Sequence, residues 1–236
     1  MNWRTNVVMA MPDPPVEAWS FLKTEVRLRG STGVGLRTLP SGKRVAVKRG
    51  GFAGGDPEGH VSNEYDMNRY LNELGVAVPK ATITNERGRP TMLTDWEEGA
   101  KPVTYEDKQK LRQDFVPQAL IANWDALGMD MDNVLMRPDG TPTYVDVGGA
   151  GPYRAQGARK LPFVEWGPHA PEIETMQSIP PHTKQVYGEM TPEELGQSYD
   201  RYGGIDAMQS ATKVLRDRQT RDIMNQRAED IARQVA

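Results

Sequence analysis

Thr24-Glu25-Val26-Arg27-Leu28-Arg29 runs into Gly30-Ser31-Thr32-Gly33-Val34-Gly35, and Val45-Ala46-Val47-Lys48 follows shortly after. The first six residues alternate polar and apolar, the pattern of a half-buried strand. Gly30, Gly33 and Gly35 let the backbone turn tightly and come close to a ligand. A second short strand is expected over Leu36–Leu39, a turn at Pro40-Ser41-Gly42 and a third strand over Arg44–Lys48. Together they predict an antiparallel sheet. In the third strand Val45 and Val47 share one face, and Ala46 and Lys48 the other. The valines suit a core. A small alanine beside a lysine leaves room for a ligand with an anionic end; an exposed lysine on a sheet surface is the competing reading.

Downstream, Asp56-Pro57-Glu58 is a helix start: an N-cap acceptor, proline at the first position, an acid in the first turn. The helix is expected to reach Leu74 and stop at Gly75. Glu64, Met67, Leu71 and Leu74 are spaced 3, 4 and 3 apart, so the glutamate continues an apolar stripe. A carboxylate taken from water needs a cation, and Lys48 is the candidate; a wet glutamate at the stripe's edge is the alternative.

Strands are expected at Ala81–Thr84 and Pro90–Thr94 around Asn85-Glu86-Arg87-Gly88. After Gly99 the texture turns helical. Glu106–Asn123 carries Leu111, Phe115, Ala119 and Ala122, with Pro117 expected to break or restart the helix. A hairpin is expected from Val134–Met136 and Thr143–Val145 around Arg137-Pro138-Asp139-Gly140. Residues 152–181 are proline-rich and read as irregular. A helix starts at Thr191, and Ile205–Val235 reads as one long charged helix or two shorter ones. The α+β division that follows is an arm over 1–20, a sheet-rich lobe over 21–98 and a mainly helical lobe over 99–236. Asp95-Trp96-Glu97-Glu98-Gly99 would form the crossing.

Composition narrows the chemistry. The chain has 236 residues, ample for a core. The net charge of -3 gives no reason to expect nucleic acid, and no apolar run is long enough to span a membrane. Pro12-Asp13-Pro14-Pro15 interrupts the brief apolar stretch near the N-terminus, which makes a poor signal peptide. Without cysteine, disulfides, thiolate catalysis and zinc–thiolate sites are excluded. His60, His169 and His182 are far apart and read as surface or hydrogen-bonded residues. Cytoplasmic residence fits all of this.

Carboxylates supply the remaining signal. Asp125 closes the segment Ala119-Leu120-Ile121-Ala122-Asn123-Trp124, and Asp130, Asp132 and Asn133 follow. Asp146 sits between Val145 and Val147, just before Gly148-Gly149. Such oxygens are hard ligands suited to Mg2+, though the spacing is not that of an EF-hand. The glycine cluster is not a Walker A loop, since no Gly-Lys-Ser/Thr ends it and no helix follows. A solvated acidic loop and a turn aspartate are the bland alternative.

In this order the pieces resemble the protein-kinase-like superfamily, and more closely its atypical HipA-like and phosphatidylinositol-kinase-like members. Val45-Ala46-Val47-Lys48 resembles the strand-three lysine motif, with Glu64 as its helix partner. Asn123-Trp124-Asp125 with Asn133 resembles the catalytic loop, and Val145-Asp146-Val147-Gly148 the metal-binding Asp-Phe-Gly segment. The resemblance covers about Val26 to Gly151. It implies a two-lobed kinase-like fold with ATP and Mg2+ between the lobes. Nucleotide contacts would come from Gly30, Gly33, Gly35, Lys48, Glu64 and Asp95, metal contacts from Asn133, Asp146 and Asp132, and orientation of the acceptor hydroxyl from Asp125. The departures are the absence of His-Arg before Asp125, the eight-residue step to Asn133, a Gly-x-x-Gly-x-Gly spacing and no Ala-Pro-Glu segment. The basic stretch Tyr153–Lys160 reads as a solvated loop, or else as a substrate or phosphate contact. The implied activity is transfer of the γ-phosphate to a hydroxyl of a protein or small molecule. AMP transfer on the same fold is one alternative. A pseudokinase or a module of a larger assembly such as a phage particle is another, with Lys213–Gln234 as a possible partner surface.

Overall fold

The computed structural model describes residues 24–28 and 34–235; the expected arm, and Gly30 and Gly33 of the glycine cluster, lie outside them. β1 (Thr24–Arg27), β2 (Gly35–Thr38) and β3 (Arg44–Lys48) form at the expected places, but Val26, expected on a half-buried face of β1, is 49% exposed. The turn before β3 closes on the Leu39 N–H to Lys43 carbonyl bond of 2.7 Å, with Gly42 at φ 87°. α1 (Pro57–Leu74) begins where Asp56 accepts the Gly59 N–H and ends on left-handed Gly75 at φ 94°. β4 (Ala81–Glu86) and β5 (Arg89–Asp95) complete an antiparallel sheet of order β1-β2-β3-β5-β4. Val45 and Val47 are buried as predicted, and so are Glu64, Met67, Leu71 and Leu74 on α1.

The second lobe holds a three-stranded sheet of β6 (Lys101–Pro102), β7 (Val134–Met136) and β8 (Pro142–Tyr144). Its helices are α2 (Lys108–Arg112), α3 (Phe115–Leu120), α4 (Glu172–Ser178), α5 (Pro181–Tyr187), α6 (Pro192–Asp200), α7 (Gly204–Ala211) and α8 (Arg218–Val235). The expected helix over 106–123 is divided between Arg112 and Phe115, ahead of Pro117. That proline sits in the first turn of α3, where its missing N–H breaks no ladder bond. The stretch read as irregular contains α4. The 205–235 segment resolves into two helices. α6 starts on a capping box in which Thr191 Oγ1 accepts the Glu194 N–H while Glu194 accepts the Thr191 N–H.

α1 is also anchored to the helical lobe. The Tyr70 hydroxyl donates to the Met208 carbonyl at 2.9 Å, and Arg216 Nε to Asp66 Oδ1 at 2.7 Å. α8 packs inward through Met224, Arg227, Ala228 and Ile231. Arg227 is fully buried yet satisfied. It donates to the carbonyls of Ala119, Leu120, Gly167 and His169 and to Glu172. Two of those carbonyls, Ala119 and Leu120, lie in the last turn of α3, so a side chain of the last helix caps the element that leads to Asp125. Among the described residues no helix is long and apolar enough to cross a membrane.

Asp114, buried at the head of α3, accepts a hydrogen bond from the Tyr202 hydroxyl. Burial raises its pKa to about 6. The unfolded chain loses this proton near pH 4 and the folded one only near 6, so Asp114 subtracts stability as pH rises through that window. That difference corresponds to about 2–3 kcal/mol. Asp114→Asn, which mimics the protonated acid, is expected to match the parent at pH 4 and exceed it by about that amount at pH 7.5. Denaturant melts at the two pH values check this; equal stability differences at both overturn it.

Candidate active site

β3 delivers Lys48 to the cleft between the lobes. The amine is ion-paired with Glu64, bonded to the Val145 carbonyl at 3.0 Å and lies 3.5 Å from Asp146 Oδ2. Burial opposes its charge, but Asp146 and Glu64 outweigh that and hold the pKa above the ordinary lysine value. Lys48 is therefore a fixed cation whose other side faces two loops.

The first loop leaves α3 through Ala122 at φ 53°, an unusual conformation for alanine. Asn123 is pinned by its Nδ2 to Gln118 Oε1 at 2.9 Å. Trp124 is pinned by its indole N–H to Glu172 Oε1 at 3.2 Å, and Glu172 is itself held by Arg227. Asp125 accepts from Asn133 Nδ2 at its carbonyl (2.7 Å) and at Oδ2 (3.1 Å). Burial raises the Asp125 pKa to about 6, with the charges of Asp146 and Asp132 adding to the effect and the Asn133 bond opposing it. A carboxylate with that value is suited to accepting a proton near neutral pH.

The second loop follows β8. Gly148 N–H donates to Asp146 Oδ1 at 2.9 Å. The Gly148 carbonyl meets His60 Nε2 at 2.8 Å, while His60 Nδ1 lies 2.7 Å from the Gly51 N–H. Nδ1 must accept there, so Nε2 carries the proton and donates. A buried histidine on α1 thus orients the loop that bears Asp146.

Ala46, Lys48, Trp96, Asp125, Asn133 and Asp146 line one cavity of about 780 Å³, and Asp130 and Asp132 lie on its wall. Among the described residues no three His, Asp or Glu side chains form a metal cage by themselves. Mg2+ does not need one: it takes one or two carboxylates together with substrate phosphates. Asn133 commits its Nδ2 to Asp125, which leaves Oδ1 for a cation, and the Asp146 carboxylate is one-third exposed. The donor set fits.

The structure brings together Lys48, Glu64, Asp125, Asn133 and Asp146, with Asp132 beside them. Asp132 packs so closely on Gly128, at φ 74°, that a side chain there would collide with it. Asp95 is not drawn in. It ends β5, pairs with Lys43 at 2.7 Å and is outside the cavity, whose wall is made there by Thr94, Trp96 and Glu97. Gly35 is buried in β2 opposite Val47, and Leu28 and Val34 reach the cavity from the flanks of the hairpin. The solvated-loop reading of Tyr153–Lys160 fails at its ends: Tyr153 and Lys160 are buried. The exposed Arg154 and Arg159 pair with Glu165 and Asp56. His60 and Lys160 carried no local sequence signal, because their partners are backbone atoms, which no residue pattern marks.

A two-lobed, protein-kinase-like fold is the class this architecture defines. A kinase from Helicobacter pylori described as proinflammatory, CtkA, has a crystal structure similar to it over 92% of this chain and 97% of that one, with 10% identity and a TM-score of 0.55. A chain of the Shewanella oneidensis HipA–HipB toxin–antitoxin complex with its operator DNA overlaps 94% of this chain and 67% of its own length, at 12% identity and a TM-score of 0.44. No family model and no curated protein matches the sequence. The CtkA likeness fixes the fold.

Proposed function

We propose that this chain is an ATP- and Mg2+-dependent phosphotransferase that moves the γ-phosphate to a hydroxyl of a protein or small-molecule acceptor, acting in the cytoplasm. One observation carries the reading: Lys48 Nζ, paired with buried Glu64, lies 3.5 Å from Asp146 Oδ2 in the same cavity as Asp125 and Asn133. Likeness of fold to a kinase supports it.

Lys48 meets phosphate oxygens as a fixed point charge, and its ion pair with Glu64 prevents it from swinging away. Asn133 and Asp146, with Asp132 beside them, are the residues to hold Mg2+, which supplies charge neutralisation at the phosphate oxygens. Asp125 orients the acceptor hydroxyl and takes its proton as the bond from that oxygen to the γ-phosphorus forms and the bond from phosphorus to the departing ADP oxygen breaks. Trp124, fixed by Glu172, keeps the Asp125 backbone from drifting.

Mg-ATP at a hundred times its dissociation constant should add about 2.7 kcal/mol of stability, seen as a raised unfolding temperature. Incubation with ATP should then yield a product heavier by phosphate. A product heavier by adenylate would move the reading to AMP transfer, and no thermal shift would sink it in favour of a structural module.

A further inference from the structure

The loop that carries Asp125 and the loop that carries Asp146 touch each other. A Cβ added to Gly149 would stand 3.2 Å from the Asp125 Cβ and 3.3 Å from Asn123 Oδ1. The Gly151 N–H donates to the Ile121 carbonyl at 2.7 Å. Three carbonyls turn inward at this seam, one from the first loop and two from the second. The Lys160 ammonium sits among them, donating to Ala122 at 2.6 Å, Gly149 at 2.8 Å and Gly151 at 2.9 Å. Burial lowers the Lys160 pKa to about 7, and its protonated form has three N–H donors for the three oxygens.

We propose that Lys160 is a positioning residue for the transfer reaction, an internal cation whose three bonds fix the Asp125 loop against the Asp146 loop. The inference rests on the phosphotransferase reading above. Its physical basis is the cost of the arrangement. A lysine buried to 7% exposure pays a desolvation penalty that an apolar residue filling the same space avoids. It captures the carbonyl of Ala122, held in the left-handed region at φ 53°, three residues before the base. The other two carbonyls belong to glycines three and five residues beyond Asp146. The ammonium reaches no described acceptor other than these three carbonyls, so its bonding lies wholly within the seam between the two loops.

Lys160→Met keeps the stem and removes the donors; Lys160→Gln keeps two N–H groups. Both are assayed as full chains well below their unfolding temperatures, by ATP turnover and by the thermal shift with Mg-ATP. Misplacement by about 1 Å costs on the order of 100-fold in rate, so kcat of the methionine variant should fall about 10–100-fold. The shift with Mg-ATP should stay that of the parent, and the glutamine variant should fall between. A variant that is less stable but turns over ATP at the parental kcat would show a merely structural lysine and overturn the proposal while leaving the phosphotransferase reading intact. Should the methionine variant not fold, an unchanged kcat in the glutamine variant overturns it equally. A parent chain with no turnover removes both.

Discussion

Lys48→Met is expected to destabilise the protein by about 3–5 kcal/mol and to abolish transfer, while Lys48→Met combined with Glu64→Met recovers most of the stability and none of the activity. Lys48 and Glu64 are 4% and 3% exposed. Removing the amine leaves a carboxylate on the apolar stripe of Met67, Leu71 and Leu74 with no cation to meet it. That uncompensated charge is the source of the cost; the pair itself offers little over two well-packed apolar side chains. The second methionine removes the stranded carboxylate, and Asp146, one-third exposed, stays hydrated. Burial holds the Glu64 pKa above the ordinary carboxylate value even with the amine opposing it, and removing the amine raises it further, so the destabilisation of the single mutant should grow from pH 6 to pH 8 while the double mutant shows no such slope. Urea melts of the three proteins, with ATP turnover on each, check the prediction. A single mutant as stable as the parent would contradict the buried pair, and turnover by the double mutant would remove Lys48 from the reaction.

The sheet-rich lobe was legible because its signals are local. Two-residue alternation sets which side of β3 faces the cleft, and the α1 caps are Asp56 and Gly75, each read from the residue itself. Glu64 was legible for a different reason. A carboxylate on an apolar stripe is expensive alone, so its partner could be sought. The same reasoning applies to Arg227, which shares a face with Met224, Ala228 and Ile231, but there the answer is a set of backbone carbonyls that no sequence pattern marks. Within the stretch read as irregular, α4 was missed because proline both begins helices and breaks them; Pro171 here stands at a helix start. Asp95 was placed by its position at the crossing between lobes, and chain position alone does not fix where a side chain points. Trp96 and Glu97, its neighbours, turn into the cavity instead.

Asp125→Asn should separate stability from activity. The substitution keeps the shape and leaves an oxygen to accept the Asn133 amide bond, so the loop geometry survives. What it removes is the capacity to take a proton. Loss of a general base typically costs about 10²–10⁴-fold in rate, and that range is expected in kcat with little change in the Mg-ATP thermal shift, since the nucleotide is held from the Lys48 and Asp146 side. Stability should move the other way. The folded chain releases the Asp125 proton only near pH 6, against about 4 when unfolded, so the ionised carboxylate is a cost at neutral pH. Asparagine avoids it. Because the group is partly exposed, solvent screening trims the gain to about 1–2 kcal/mol at pH 7.5, and the gain should vanish by pH 4, where both states are protonated. A residue kept at a loss of stability whose removal stops the reaction is what a site built for chemistry predicts. Undiminished turnover in the asparagine variant would take the base away from Asp125. A variant less stable than the parent at pH 7.5 would mean that the carboxylate serves the fold.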